Sequence, residues 1–255
     1  MEFEFGMERA VGEFGHVDPL DPGIRERGLD QRTGQALHQV PSPGGDQAHG
    51  RGMEVAAHAH SRSGIELAIR NGVHDIQHIS FMDEALVDLA AEHGCVVTPT
   101  SWVMDELQRA DGLSDFVMDK VKQVAEVHAQ ATAYAAKGGL PILMGTDPVL
   151  PGMHGRNGME IAALVKEGLS PLAAWHGTTG LAAEHIHVPE TGTIEPGKRA
   201  DLLVCTEDVV HHPEKLGAGA ILEVLKDGEG YRGGLDGVPQ RRFETDLRER
   251  LAKRG

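Results

Sequence analysis

Short apolar runs alternate with amphipathic stretches through the middle of the chain, from about residue 53 onward. An apolar run without helical spacing is typical of a buried strand, whereas apolar residues at i, i+3 and i+4 indicate a helix packed on one face. The strand-like runs are 55–59, 75–79, 95–99 and 141–144, and the helix-like stretches are 63–72, 83–94, 114–137, 157–167 and 170–185. This alternation predicts a parallel sheet with helices packed against it.

Helix-capping residues support this interpretation. Ser63, Asp83 and Ser170 stand where an N-cap is expected, because their side-chain oxygens can accept a hydrogen bond from the backbone of the first helical turn. After the last helix the alternation stops, and a turn and strand at 192–205 are followed by a strand-like run at 220–228 that ends in Asp-Gly, a signal for a tight turn. We therefore expect a small separate β-sheet in this part of the chain.

The pattern divides the chain into four parts. Residues 1–50 are rich in glycine and proline without a sustained period, which predicts an irregular leader that is disordered or foreign to the rest of the fold. Residues 51–190 hold four strand–helix units, half the number in a closed (β/α)8 barrel. Residues 191–235 hold the small β-structure, and residues 236–255 form a charged tail whose apolar spacing predicts a surface helix.

Charge and cysteine content narrow the class of protein. The 255 residues include 24 basic and 39 acidic side chains, which give a formal net charge of −15. We expect neither nucleic acid nor a membrane as a partner, because both favour a basic surface. Cys95 and Cys205 lie far apart with no CxxC motif, so we do not expect a disulfide framework. We therefore expect a cytoplasmic location, where thiols stay reduced.

Histidine and aspartate stand at the ends of the strand-like runs. His58 and His60 flank Ala59, and alternation along a strand places both on the same face of the sheet. His78 follows one strand–helix unit later, and Asp147 follows the fourth strand-like run. Imidazole and carboxylate groups from neighbouring strand ends can converge on Zn²⁺, which polarises a carbonyl and lowers the pKa of water.

Simpler interpretations of these residues stay open. His-Ala-His arises by chance in a chain with 15 histidines, and a histidine in a strand is often only a hydrogen-bonded core residue. Gly-Thr-Asp at 145–147 is also typical of a strand-ending turn, since aspartate is a common turn residue. The joint placement at successive strand ends is what favours a metal site.

Four segments together resemble the amidohydrolase superfamily, in particular its imidazolonepropionase-like and Xaa-Pro dipeptidase-like branch. The segments are Val-Ala-Ala-His-Ala-His at 55–60, Gly-Val-His-Asp-Ile-Gln-His at 72–78, Met-Gly-Thr-Asp at 144–147 and Gly-Thr-Ile-Glu-Pro-Gly-Lys-Arg-Ala-Asp-Leu-Leu-Val at 192–204. The resemblance covers about residues 50–230. It implies an α/β fold with a partial TIM-type barrel, about strands five to eight, and a small C-terminal portion of a β-sandwich.

The resemblance implies a role for each metal-site residue. His58 matches the strand-five metal ligand and His78 the strand-six ligand. Asp147 matches the strand-eight aspartate, which binds metal and serves as the catalytic proton shuttle. His60 is expected beside these ligands rather than on the ion. The implied cofactor is a divalent metal, with Zn²⁺ in first place.

Three further residues are expected to face the substrate, a small-molecule amide or peptide. His154 and Arg156 lie in the loop after the fourth strand-like run, and Trp102 follows the third. The alternative for His154 and Arg156 is a solvated loop position. The alternative for Trp102 is a core aromatic residue.

The family's strand-one His-x-His and strand-four lysine have no counterpart in residues 1–52. The chain therefore resembles the C-terminal half of a metal-dependent hydrolase of carbon–nitrogen bonds, with weak or no activity alone. One alternative is a non-catalytic remnant, or a subunit that needs a partner half or forms a homo-oligomer. Another is an α/β binding domain with an accidental histidine cluster.

Overall fold

The computed structural model describes residues 48–230. The chain divides into two compact units, with the boundary between Ile142 and Leu143. The predictions for the leader up to residue 47 and for the tail at 236–255 lie outside the described residues. None of the helices within 48–230 is long and apolar enough to cross a membrane.

The first unit is built from strands and helices that alternate along the chain. Its strands are β1 (Ala56–Ala59), β2 (Asp75–His78) and β3 (Val96–Thr98), and its helices are α1 (Arg62–Arg70), α2 (Glu84–Glu92), α3 (Ser101–Leu107) and α4 (Asp115–Lys137). The strands form a parallel sheet in the order β1-β2-β3. This arrangement confirms the α/β class predicted from the sequence.

Helix α1 buries one apolar stripe. In α1 the buried residues are Ile65, Ala68 and Ile69, spaced by three and four as a packed helix face requires. The predicted cap of α1 is wrong by two residues, because Ser61 is the N-cap and its Oγ accepts a hydrogen bond from Gly64 N at 3.1 Å. Ser63 lies inside the helix. The predicted cap of α2 is confirmed, since Asp83 accepts from Leu86 N at 2.9 Å.

The fourth predicted strand, at 141–144, is reduced to a single parallel bridge between Ile142 and Val97. Pro141 has no N–H to donate, and the N–H of Met144 donates to Gly177 O at 3.3 Å instead of to a neighbouring strand. A ladder therefore does not extend beyond the bridge.

Within its described part, up to residue 230, the second unit contains three α-helices, a 3₁₀ helix and a small sheet. Its elements are α5 (Met159–Lys166), α6 (Pro171–Thr178), α7 (Gly180–His185), β4 (Leu202–Cys205), the 3₁₀ helix Pro213–Ala218, β5 (Ile221–Lys226) and β6 (Glu229–Gly230). The helix predicted at 170–185 is two helices, because Thr179 has φ −123° and ψ −92°, outside the helical region.

The last three strands form an antiparallel sheet in the order β4-β5-β6. Between β5 and β6, Asp227 and Gly228 have φ values of 54° and 82°. Two successive positive φ values are what a tight hairpin turn of this kind needs, which explains the Asp-Gly sequence.

Candidate metal centre

Three imidazole rings meet where β1 and β2 end. One ring nitrogen from each of His58, His60 and His78 can be chosen so that all lie within 4.8 Å of one another. The ring centroids are 4.3 Å apart for His58 and His78, and 4.6 Å apart for each of the other two pairs. The side chain of His58 is exposed, that of His60 is half-buried and His78 is 6% exposed. We call these three residues the histidine cluster.

The position of His78 depends on an unusual backbone conformation. In the parallel register Ala59 pairs with His78 and His58 pairs with Gln77, so a regular pleat would put His58 and His78 on opposite faces. His78 instead has φ 74° and the following Ile79 has φ 49°. The left-handed turn at the end of β2 takes His78 out of the pleat, and its ring meets that of His58.

Positive φ values recur at Thr100 and Asp147. Thr100, two residues after β3, has φ 60°, and Asp147, in the loop after the Ile142 bridge, has φ 40°. For β-branched residues such as Ile79 and Thr100 this conformation is a genuine outlier. Each such position costs on the order of 1–3 kcal/mol, and such strain concentrates at functional sites.

Buried hydroxyl groups hold two of the three rings. Thr100 Oγ1 lies 2.8 Å from Nδ1 of His78. Ser80 Oγ lies 2.9 Å from Nδ1 of His60 and 3.0 Å from Nδ1 of His128. On its other side, His128 Nε2 lies 3.3 Å from Ser101 Oγ. We call His60, Ser80, His128 and Ser101 the serine–histidine chain.

Burial keeps His60 and His128 neutral. Desolvation, with the charges that His78 and His58 would carry, lowers the pKa of His60 to about 3. His128 is 0% exposed, and desolvation together with His78 lowers its pKa to about 4. Only a neutral imidazole has a lone pair for a metal ion. Neutral imidazoles from adjacent strand ends are donors that Zn²⁺ accepts, so the cluster fits a divalent transition metal.

The other predicted site residues lie apart from this cluster along the chain. Asp147, His154 and Arg156 belong to the second unit, and all three are exposed. Trp102 is 1% exposed, and its Nε1 donates to Glu106 Oε1 at 3.2 Å. This placement of Trp102 is that of a core aromatic residue.

The sequence pattern does not identify Ser80, Thr100 or His128 as parts of this centre. One signal was present for His128, which interrupts a buried apolar stripe of α4 that includes Val121 and Ala125. A polar residue at such a position needs a hydrogen-bond partner. Ser80 lies two residues after His78, a spacing that by itself does not distinguish it from other serines.

Comparisons with known proteins agree with the sequence resemblance. The sequence model of the amidohydrolase family matches residues 45–230. An ochratoxinase from Aspergillus niger is 30% identical over 190 residues, which are 70% of this chain and 38% of that protein. A crystal structure of a Xaa-Pro dipeptidase with bound methionine is 30% identical, with a TM-score of 0.66, over 74% of this chain and 47% of the other.

The crystal structure of A. niger ochratoxinase gives a similar result, with 28% identity and a TM-score of 0.64 over 75% of this chain and 45% of the other. The chain thus spans less than half the length of these relatives. With a family match over residues 45–230 and an α/β fold similar to those of its hydrolase relatives, the chain belongs to the amidohydrolase family.

Proposed function

We propose that this chain carries part of the catalytic apparatus of a metal-dependent hydrolase that cleaves carbon–nitrogen bonds in amides, cyclic amides or dipeptides. The observation that carries the proposal is the histidine cluster, in which ring nitrogens of His58, His60 and His78 lie within 4.8 Å of one another. The names of the relatives, an ochratoxinase and a Xaa-Pro dipeptidase, support a substrate of this kind.

His58 and His78 would hold the ion, with Zn²⁺ as first choice, Asp147 would be a further ligand, and His60 would lie beside them. A divalent ion in such a site supplies Lewis-acid polarisation of the scissile carbonyl and acidification of water. The carboxylate of Asp147 would accept a proton from water and pass it to the leaving amine. His154 and Arg156 would orient the substrate.

We also propose that residues 51–190 correspond to strands five to eight of a TIM-type barrel, and that residues 191–235 are part of a small β-sandwich. The parallel order β1-β2-β3 and the antiparallel order β4-β5-β6 support this assignment. Because the chain spans less than half the length of its relatives, we expect weak or no activity from it alone. The cytoplasmic location inferred from the two cysteines stays a prediction.

The short span favours a second candidate function, a subunit that completes its site with a partner half or a second copy. Among residues 48–230 strand β1 pairs only with β2, so its other edge has no strand partner within this range. A chain that binds one ion but does not hydrolyse amides until it is mixed with another polypeptide would favour this function.

The first experiment measures metal content and amide hydrolysis together. Purified chain loaded with zinc is expected to hold about one ion, and His58→Ala is expected to hold less than about a tenth of an ion. His93→Ala is the matched control, because His93 is exposed at the C-terminus of α2. Metal content below about a tenth of an ion in the unaltered chain would remove the proposal.

The second part of this test concerns the proton shuttle. In a preparation that hydrolyses a Xaa-Pro dipeptide, either the chain alone or the chain with a partner half, Asp147→Asn is expected to lower hydrolysis by about 10²–10⁴-fold, because a general acid–base group is lost. Asp111→Asn, an exposed loop position, serves as the control. Hydrolysis that survives in Asp147→Asn at the control's rate would contradict the role of Asp147.

A further inference from the structure

The serine–histidine chain links the histidine cluster to the interior of the first unit. It runs from His60 through Ser80 and His128 to Ser101, with successive atoms 2.9, 3.0 and 3.3 Å apart. Ser80 and His128 are 0% exposed and Ser101 is 1% exposed. Helix α4 supplies His128, the segment after β2 supplies Ser80, and Ser101 is the first residue of α3.

The chemistry of Ser80 restricts how protons are arranged along the serine–histidine chain. A serine hydroxyl has one hydrogen, so it donates to one partner and accepts from others. Both neighbours of Ser80 Oγ are imidazole Nδ1 atoms. When Ser80 donates to one of these nitrogens, the other must carry a hydrogen and donate to Ser80.

Two arrangements satisfy all three hydrogen bonds in the neutral state. In the first, His60 Nδ1–H donates to Ser80, Ser80 donates to His128 Nδ1, and His128 Nε2–H donates to Ser101. In the second, every one of these bonds runs in the opposite direction. The two arrangements differ at His60, whose lone pair is on Nε2 in the first and on Nδ1 in the second.

We propose that Ser80 and His128 are positioning residues that hold His60 as its Nδ1–H tautomer, so that Nε2 of His60 serves as a metal donor. This inference rests on the proposed function and adds His60 to the ligands named from the sequence. In the reverse arrangement Nε2 carries a hydrogen and cannot bind a cation. The tautomer of a metal-binding histidine is set by the hydrogen bond at its other ring nitrogen.

The neighbouring ring gives independent support. His78 also has its Nδ1 at a buried hydroxyl, 2.8 Å from Thr100 Oγ1. His60 and His78 thus share one feature, a buried hydroxyl at Nδ1, so Nε2 is the nitrogen that each ring would offer to an ion.

The first test is zinc affinity of the full chain, measured by competition with a chromophoric chelator. Ser80→Ala is expected to weaken binding by about 10–100-fold, the usual effect of removing a partner behind a metal-binding histidine. Thr132→Val is the matched control. Thr132 is 0% exposed and lies on α4 with His128, but its hydroxyl donates to the backbone oxygen of His128 and is not part of the serine–histidine chain. Thermal melts establish that both variants are folded.

Equal zinc affinity in folded Ser80→Ala and the control would overturn the inference. Absence of zinc binding in the unaltered chain would instead overturn the proposed function and with it the metal role of His60. Rescue gives a further check, since Ser80→Thr keeps the hydroxyl and is expected to bind more tightly than Ser80→Ala.

The second test does not depend on affinity. Long-range ¹H–¹⁵N NMR of the full chain with ring-labelled histidine distinguishes the two tautomers, and His60→Gln identifies the signals of His60. We expect His60 to be protonated at Nδ1 in the unaltered chain, and to lose this preference in Ser80→Ala. Protonation at Nε2 in the unaltered chain would overturn the inference whether or not the protein binds zinc.

Discussion

At the scale of single residues, the first unit contains a group of buried polar side chains that are unfavourable to its stability. His128 lies fully buried in α4 with a serine hydroxyl at each ring nitrogen. A buried imidazole is tolerated because both nitrogens have partners and the ring stays neutral. The left-handed conformations of His78, Ile79 and Thr100 add a further cost. Buried polar groups and strained backbone at one place are typical of a functional site rather than of a core.

The neutral state of His128 predicts a specific pH dependence of folding. The pKa is about 4 in the native protein and 6.5 in the unfolded chain, so the unfolded chain binds more protons between these values. Stability is therefore fully present above pH 6.5 and falls as the pH falls toward 4. At pH 5 this group alone accounts for a loss of about 2 kcal/mol relative to pH 7.5.

The measurement is urea unfolding at pH 7.5 and pH 5, with a chelator present to remove bound metal. His128→Gln is expected to be less stable at pH 7.5 but to lose about 2 kcal/mol less on acidification than the unaltered protein. The other histidines contribute to both proteins, so the difference isolates His128. An identical loss in both would show that His128 does not titrate as the structure implies.

At the scale of elements, capping residues set where the helices begin. Asp83 accepts from Leu86 N at 2.9 Å and from Arg62 Nε at 2.8 Å, so it joins the start of α2 to the start of α1. The two interactions differ in strength, since the cap satisfies a backbone N–H while the ion pair is about half exposed.

We expect Asp83→Ala to lower the free energy of unfolding by about 1 kcal/mol, through loss of the cap. Arg62→Ala removes only the ion pairs at exposed positions and is expected to cost less than about 1 kcal/mol. Thermal melts of both variants check this order, since about 1 kcal/mol lowers Tm by 2–4 °C in a protein of this size. A larger loss in Arg62→Ala would show that the ion pair dominates.

Sequence patterns located the elements better than they located the contacts between them. Strands β1, β2 and β3 lie within the predicted runs, because short apolar stretches are a local signal. The run at 141–144 did not become a strand, since pairing depends on what its backbone meets elsewhere in the fold. Likewise His58 and His78 could be identified from their spacing, whereas Ser80 and Thr100 depend on backbone turns that no periodicity reveals.

At the scale of the whole molecule, the histidine cluster belongs entirely to the first of two compact units. The second unit has its own helices and its own antiparallel sheet. If the cluster holds an ion, that ion would bind the native form of the first unit more tightly than its unfolded form. Metal binding should therefore stabilise the end of β1 and the end of β2 directly.

Hydrogen exchange with mass spectrometry tests this localisation. With zinc at about 100 times its Kd, native binding adds up to about 2.7 kcal/mol. Protection is expected to rise in peptides that cover 56–60 and 75–80, and to stay constant in those that cover β4 and β5. The His58→Ala variant should show no zinc-dependent change. Equal zinc-dependent protection in β4 and β5 would contradict a cluster that acts within the first unit.

The three imidazoles come from one short interval of sequence, positions 58–78, which contains a single strand–helix–strand unit. An ion held by them closes a small ring in the chain, and small rings cost less conformational entropy than large ones. Near-neighbour pairings also form early when a chain folds. If a transition metal is present during synthesis and binds the cluster, we expect it to favour the pairing of β1 with β2 before the more distant parts of the protein have assembled.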